Sequence, residues 1–391
     1  MSALLATAVV ADIAALTAWL GVLLARARAW DLGPIAEDEP LSEPSLWPRV
    51  HMIVPARNEA SSLPETLPAL LDQDYPGPCR AILVDDRSRD GTAEVARTVA
   101  GGDARLTILP GGPLPSGWVG KVWALEQAVR ESALDAERPD YLLLTDADIR
   151  HAPGSLRRLV AESETAGLAL NSRMARLSCV TGPERLLIPP FVYFFNLLYP
   201  MRRVNDPRCR VAAAAGGCML LRREALDRAG GLASIRGEII DDVNLARRVK
   251  GLGLGEPIRL SVSRAEVVSV REYGSVAAVW RMVRRTAFEE LRHSWLLLAA
   301  TLVALAALFL VPPASVAGAV AAAALGAAWP SCLVVGLLGL AAWGVATAAF
   351  TATTRYFGLQ WWWSLTLSIA GLMYGGMTLD SAVRGHRKPS W

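Results

Sequence analysis

The feature that most constrains this chain is the run from Ser294 to Leu379, in which Arg355 is the only charged residue. A water-soluble domain gains nothing from so long an apolar stretch. A bilayer stabilises it, and a helix needs ~20 such residues to cross the hydrocarbon. Pro312-Pro313, Trp329-Pro330 and the region of Arg355 divide the run into pieces near 295–311, 314–329, 331–350 and 360–379. The arginines ahead of the run (Arg281, Arg284, Arg285, Arg292) and the basic tail RGHRKPSW both favour the cytoplasmic side. Ends on the same side require an even number of crossings, so four are expected in this C-terminal block. A second apolar segment, residues 3–24, is interrupted by one charge, Asp12, and is followed by Arg26 and Arg28. Basic residues behind the apolar run, not before it, fit an uncleaved anchor that leaves the following region in the cytoplasm. Asp12 is expected to face another helix or to lie near an interface.

The chain therefore divides into an anchor (1–28), a Pro-rich acidic linker (29–48), a globular region (49–292) and a multi-helix membrane region with its tail (293–391). Net charge is +3, and no Lys/Arg cluster is interleaved with aromatics, which gives a nucleic-acid partner little electrostatic support, and none is expected. Cys79, Cys179, Cys209, Cys218 and Cys332 are far apart and contain no CxxC pair. That argues against a zinc site or a disulfide framework and fits a reducing compartment. The four histidines are scattered, so a metal would be held by carboxylates, which favours Mg or Mn.

The globular region reads as α/β. VHMIVPA (50–56) and RAILVDD (80–86) predict buried strands, LTILP (106–110) a third, short strand, and YLLLTDAD (141–148) a fourth that, like the second, ends in carboxylates. Residues 58–73, 88–100 and 121–133 are the intervening helices, the first with a capping signal at its start. Alternating strands and helices predict a mainly parallel sheet, with ligands outside the carboxyl ends of its strands. Residues 186–201 (LLIPPFVYFFNLLYPM) are apolar and aromatic, interrupted by prolines and too short to span. They suit either a core helix or a segment lying at the headgroup level.

Carboxylates gather at the predicted strand ends. Asp146 and Asp148 in TDAD stand one residue apart and can converge on one divalent cation; a DxD alone is also a common capping turn. Asp85 and Asp86 in VDDRSRDGT can accept hydrogen bonds from a nucleobase or ribose. In PARNEA, Pro55 would fix the strand exit, while Arg57 and Glu59 either contact a nucleotide or form a salt-bridged loop. SGWVGKVWA puts Lys121 at a helix start, where backbone amides and one ammonium suit a phosphate or sugar. In IIDDVNLARRV, Asp241 and Asp242 stand at a helix start. A transferase that adds an alcohol to an anomeric carbon needs a base for the alcohol's proton. Asp242 is the candidate with Asp241 beside it; one can cap the helix while the other serves as base.

Taken together, IVPARNEA, VDDRSRDGT, GWVGK, TDAD, GGCML and IDDVNLARRV resemble the family 2 inverting glycosyltransferases of the GT-A fold, over roughly residues 48–255. GWVGK and the flanking membrane segments look like the membrane-bound branch acting on lipids. Within it the chain most resembles the hopene-associated glycosyltransferases, with carotenoid and ceramide glycosyltransferases similar in layout. The resemblance implies a GT-A nucleotide-diphospho-sugar transferase domain between transmembrane helices, in the bacterial inner membrane and facing the cytoplasm. It implies a UDP-sugar donor, Mg or Mn, and a lipid acceptor in the bilayer. Asp86 would contact uracil, Asp146 the ribose and diphosphate, Asp148 the metal, and Asp242 would be the base. The family's Glu-Asp is Asp241-Asp242 here, and the QxxRW of processive members is replaced by RMVRR (281–285), which favours transfer of a single sugar. A polyprenyl-phosphate glycosyltransferase, a nucleotidyltransferase and a non-enzymatic membrane protein are the alternatives.

Overall fold

The structure, a computed structural model, describes residues 3–25, 27–38, 41–135, 137–251 and 257–384. Arg26 and the basic tail beyond Arg384, both used above to assign sidedness, lie outside the described residues. The chain forms two units. One is helical and takes the residues up to Leu32, Cys179–Pro200 and those from Tyr273 onward. The other is α/β and takes Gly33–Ser178 and Met201–Glu272.

The α/β unit is built on a seven-stranded sheet, with strands β1 Val50–Ala56, β2 Cys79–Asp85, β3 Leu106–Pro110, β4 Tyr141–Thr145, β6 Leu170–Met174, β7 Cys218–Arg222 and β8 Ile258–Val262. Their order is β3-β2-β1-β4-β7-β6-β8. Every neighbouring pair is parallel except those made by β7, which runs antiparallel to both β4 and β6. β5 Ile149–His151 and β9 Val267–Ser269 form a separate antiparallel pair. The continuous apolar runs of β1 and β4 follow from burial on both faces, since all their residues are buried. Helices Leu63–Leu71, Thr92–Ala100 and Gly120–Ser132 connect β1 to β4. The first begins later than expected and has no side-chain cap. Asn58 instead adopts φ 56° and accepts from Arg89 N at 2.9 Å, which stitches the β1 exit to the β2 exit.

The acidic linker is partly ordered on this unit. Ile35 bridges to Val262, and Val262 N donates to Pro34 O. Oε1 of Glu37 accepts from the Ser263 hydroxyl and from the backbone N–H groups of Arg264, Ala265 and Glu266, at 2.7–3.0 Å. Burial alone would raise its pKa, but the Ala265 and Glu266 amides and the Ser263 hydroxyl outweigh it and lower it to about 2. The folded value lies below the ordinary 4.5, so the stabilisation is complete above pH 4.5 and fades as pH falls toward 2. Glu37→Gln is expected to cost about 2 kcal/mol, the scale of hydrogen bonds to a charged acceptor. A thermal melt of the full-length protein in detergent should show a lower midpoint at pH 7 than wild type, with the gap narrowing in acid. Equal midpoints at pH 7 would contradict the clamp.

In the helical unit, three described helices are long and apolar enough to cross a membrane by length and composition: Ala6–Leu24, Trp295–Ala324 and Trp329–Tyr356. The expected division at Pro312-Pro313 is corrected. Residues 295–311 and 314–324 belong to one helical run, Trp295–Leu305, Ala306–Leu310 and Val311–Ala324, whose middle segment is a π-turn. A π-turn just ahead of paired prolines absorbs their steric clash and missing N–H. A full break would leave polar backbone groups in an apolar setting. The last piece also differs: a 3-10 turn, Trp361–Thr366, leads into Leu367–Arg384, which carries Asp380 and Arg384. Where four pieces are expected, two of the described C-terminal helices have spanning length and composition. Asp12 is fully buried.

The prolines at 189 and 190 do not interrupt their segment either. Gly182–Leu198 is one helix, opened by a capping box between Thr181 and Glu184. Its Tyr193 joins a core with Trp19, Phe309, Phe350 and Leu367. Asn196 Nδ2 donates to Ala29 O and Asp31 O. Of the two readings of this segment, the core helix describes its surroundings.

Candidate active site

The carboxyl ends of β1, β2 and β4 deliver the acidic motifs to two linked groups. In the first, Asp86 follows β2, and its own N–H donates to Ala56 O, which fixes the carboxylate beside the end of β1. Asp86 is buried, with Arg57 Nη1 at 3.3 Å and Arg87 Nε at 3.5 Å. Asp85 also supports the turn, because its Oδ1 accepts from Ser88 N and closes the loop after β2. Pro55 is the penultimate residue of β1, buried and in register with Val84.

The second group surrounds TDAD. β4 ends at Thr145, whose hydroxyl donates to Gly217 O and lies 2.8 Å from His151 Nε2. Burial lowers the His151 pKa to about 4, so the imidazole is a neutral brace at ordinary pH. With the turn held in this way, Asp146 Oδ1 is 2.8 Å from Lys121 Nζ. Asp148 Oδ2 is 2.8 Å from Arg271 Nε, and Arg271 also bonds Glu59 Oε1. Glu59 is further tied by the Ser62 hydroxyl to its Oε2 at 2.9 Å.

Lys121 joins this group to the second acidic centre, with Nζ 3.4 Å from Asp241 Oδ2. Asp241 and Asp242 are the first two residues of helix Asp241–Lys250, where the positive end of the helix dipole favours carboxylates. Neither acts as a side-chain N-cap. Asp242 Oδ2 accepts from Gly216 N at 2.8 Å and Oδ1 from Val243 N at 2.7 Å, which fixes the carboxylate in place. A Cβ at Gly216 would stand 3.2 Å from Lys121 Nζ and 3.3 Å from Asp242 Oδ2. The glycine before β7 is what lets the ammonium and the carboxylate approach the backbone together.

Electrostatics follow from this crowding. Burial raises the Asp242 pKa, Asp241 raises it further, and Lys121 and the two amides oppose the rise without cancelling it. Asp146 moves the same way through burial and its neighbour Asp148, against Lys121. Burial would lower Lys121, yet Asp146, Asp241 and Asp242 together hold it firmly protonated. Glu59 is also raised by burial, against Arg271.

Among the described residues, no group of three or more His, Cys, Asp or Glu side chains forms a cage for a metal ion. Asp146 and Asp148 remain a fitting pair for Mg or Mn, because such ions use one or two carboxylates and take the rest of their shell from phosphates and water. Each aspartate currently balances its charge against a side chain, Lys121 or Arg271. The structure thus brings together Glu59, Lys121, Asp146, Asp148, Asp241 and Asp242, and holds Arg57 against Asp86. It adds Arg271 and His151, which lie outside every motif singled out above, and gives structural roles to Gly216 of GGCML and Thr145 of TDAD.

Residues 52–230 match the family model described as Glycosyl transferase family 2. An N-acetylglucosaminyltransferase of Mesorhizobium japonicum is 32% identical over 197 residues, which make up 49% of this chain and 43% of that protein. An undecaprenyl-phosphate mannosyltransferase of Micrococcus luteus is 35% identical over 132 residues, 32% of this chain and 48% of that protein. The chain spans less than half the length of these relatives. Among solved structures, the mannosyltransferase PcManGT from Pyrobaculum calidifontis in complex with GDP-Man and Mn2+ aligns with a TM-score of 0.57 at 21% identity. The alignment covers 97% of this chain and 99% of that one and is a likeness of fold.

Proposed function

From the match of residues 52–230 to the Glycosyl transferase family 2 model and the likeness of fold to PcManGT, we propose that this protein moves one sugar from a nucleotide sugar to a membrane lipid by an inverting displacement. The single observation that carries this reading is Lys121, which touches both Asp146 of the DxD and Asp241 beside the candidate base. A donor centre and an acceptor centre then lie side by side, as a displacement between two substrates requires.

Asp86, braced by Arg57, receives the base of the nucleotide, uracil in the favoured reading. Asp146 and Asp148 are the residues that would hold a divalent cation. A cation held there stabilises the leaving diphosphate as a Lewis acid. Lys121 adds a fixed positive charge where negative charge builds up on that group. Asp242 takes the proton of the attacking hydroxyl, and Asp241 keeps its affinity for that proton high.

The acceptor follows from two separate supports. Resemblance in the motifs favours a hopanoid or related polycyclic isoprenoid alcohol. The Micrococcus relative, named for undecaprenyl phosphate, favours a polyprenyl phosphate as the second reading. The three helices of spanning length support a protein of the bacterial inner membrane, with the sheet on the cytoplasmic side, where nucleotide sugars are found.

The test uses full-length protein in detergent, Mn2+, UDP- and GDP-sugars, and lipid fractions enriched in polycyclic alcohols or polyprenyl phosphates. Metal-dependent release of nucleoside diphosphate with a glycosylated lipid as co-product is expected. Its absence with every donor and fraction would sink the reading, and pyrophosphate in its place would make the protein a nucleotidyltransferase.

A further inference from the structure

The donor-side carboxylates carry a cation that lies outside every sequence motif. β9 runs antiparallel to β5, with Ser269 opposite Ile149. One step further, Val270 N donates to Asp148 O at 2.9 Å. This register brings the next side chain, Arg271, against the DxD. Its Nε donates to Asp148 Oδ2 at 2.8 Å, its Nη2 donates to Glu59 Oε1, and the Ser269 hydroxyl stands 3.3 Å from the same Asp148 oxygen. One guanidinium thus ties the loop after β1 to the turn after β4.

The strand that presents Arg271 is firmly held. Glu266, which precedes β9, is bonded by the fully buried Arg173 at 2.5 Å and by Arg158 at 2.7 Å. The Arg271 side chain is 43% exposed, and its ion pairs are what fix its direction. A rigid base with a solvent-reaching tip suits a group that changes partners.

Charge balance decides which partners. A divalent cation on Asp148 and the guanidinium of Arg271 compete for the same carboxylate charge. Once displaced, a guanidinium cannot shed its charge, so it needs another anion nearby. A diphosphate entering beside Asp148 supplies one, with oxygens that match the two-pronged donor fork. Exchange of both partners together leaves no charge unpaired, whereas metal entry alone leaves Arg271 with Glu59 only.

We propose that Arg271 is a diphosphate-binding residue that stands in for the metal on Asp148 in the ligand-free protein and passes to the donor diphosphate when metal and nucleotide enter. The proposal rests on the donor-site reading given above. It makes metal and nucleoside diphosphate bind with positive coupling, a linkage that runs equally in both directions.

The test measures binding, apart from turnover, on full-length protein in detergent, with Mn2+ alone and with UDP or GDP in the presence of Mn2+. Relative to wild type, Arg271→Ala is expected to bind Mn2+ alone more tightly and nucleoside diphosphate less tightly, each on the order of tenfold, within the usual range of coupling between sites. Arg271→Lys, a single-point charge, should keep Mn2+ affinity near wild type and lose part of the nucleotide affinity. Wild-type affinity of the alanine variant for either Mn2+ alone or nucleoside diphosphate overturns the proposal. If that variant does not fold, the lysine variant decides, and unchanged nucleotide affinity overturns the proposal there too. Failure of wild type itself to bind either nucleotide with Mn2+ removes the donor-site reading and this proposal with it. Normal binding by wild type and the alanine variant alike removes this proposal only.

Discussion

Asp242→Asn is expected to slow sugar transfer to a lipid hydroxyl by on the order of a hundred- to ten-thousandfold, the usual share of a general base. Nucleoside diphosphate binding should stay near wild type. Asparagine keeps the volume, and its carbonyl oxygen can still accept one of the amide bonds now made by Gly216 and Val243. What it loses is proton affinity. The pH dependence gives the sign. Burial and the charge of Asp241 push the Asp242 pKa up to about 7, and the carboxyl acts as a base only when ionised. Wild-type kcat/KM should therefore climb about tenfold per pH unit below that value and level off above it. An already ionised polyprenyl-phosphate acceptor needs no such base. Near-wild-type rates for Asp242→Asn on a phosphate acceptor would decide for that lipid class, and near-wild-type rates on a neutral alcohol would remove Asp242 from the chemistry.

Lys121→Met should produce the second large effect, a loss in kcat/KM on the order of a hundredfold, because it leaves Asp146, Asp241 and Asp242 without their shared cation. The pH profile carries the distinguishing signature. Lys121 opposes the rise of the Asp242 pKa, so its removal should move the ascending limb to higher pH. Lys121→Arg keeps the charge and should leave the limb in place even if the rate falls. An unshifted limb in Lys121→Met would mean that the two acidic centres are not electrostatically joined.

Much of the α/β unit was legible from residue patterns. VHMIVPA and YLLLT are mostly apolar because their strands are covered on both faces, and β1 to β4 fall within one or two residues of the expected bounds, apart from the acidic end of YLLLTDAD. TDAD and IDDVNLARRV could be singled out because carboxylates at the ends of such runs have few structural reasons to cluster. Other features carry no local signal. Arg271 sits in VREYGS with neither periodicity nor motif, and it meets Asp148 only because β5 and β9 pair across a long stretch of chain. Glu37 reads as one acid among several in a Pro-rich linker, since its hydrogen-bond donors come from a loop far along the sequence. Pro189-Pro190 and Pro312-Pro313 look like breaks, because in water they would be. Apolar surroundings make an open helix costlier than a strained one, which no dipeptide rule encodes.

The way the two units share the chain bears on how such a protein can be made and altered. The polypeptide passes from one unit to the other at 32/33, 178/179, 200/201 and 272/273. On a ribosome, strands β1 to β6 emerge before the buried helix Gly182–Leu198, and β7 to β9 only after it. The sheet therefore cannot be completed until a piece of the helical unit has already been synthesised, and biogenesis of the two is interlocked in time. Recombination meets the same constraint. Swapping the α/β unit between relatives takes four junctions, not two, and a fragment cut at 33 and 272 would carry an orphaned apolar helix into water.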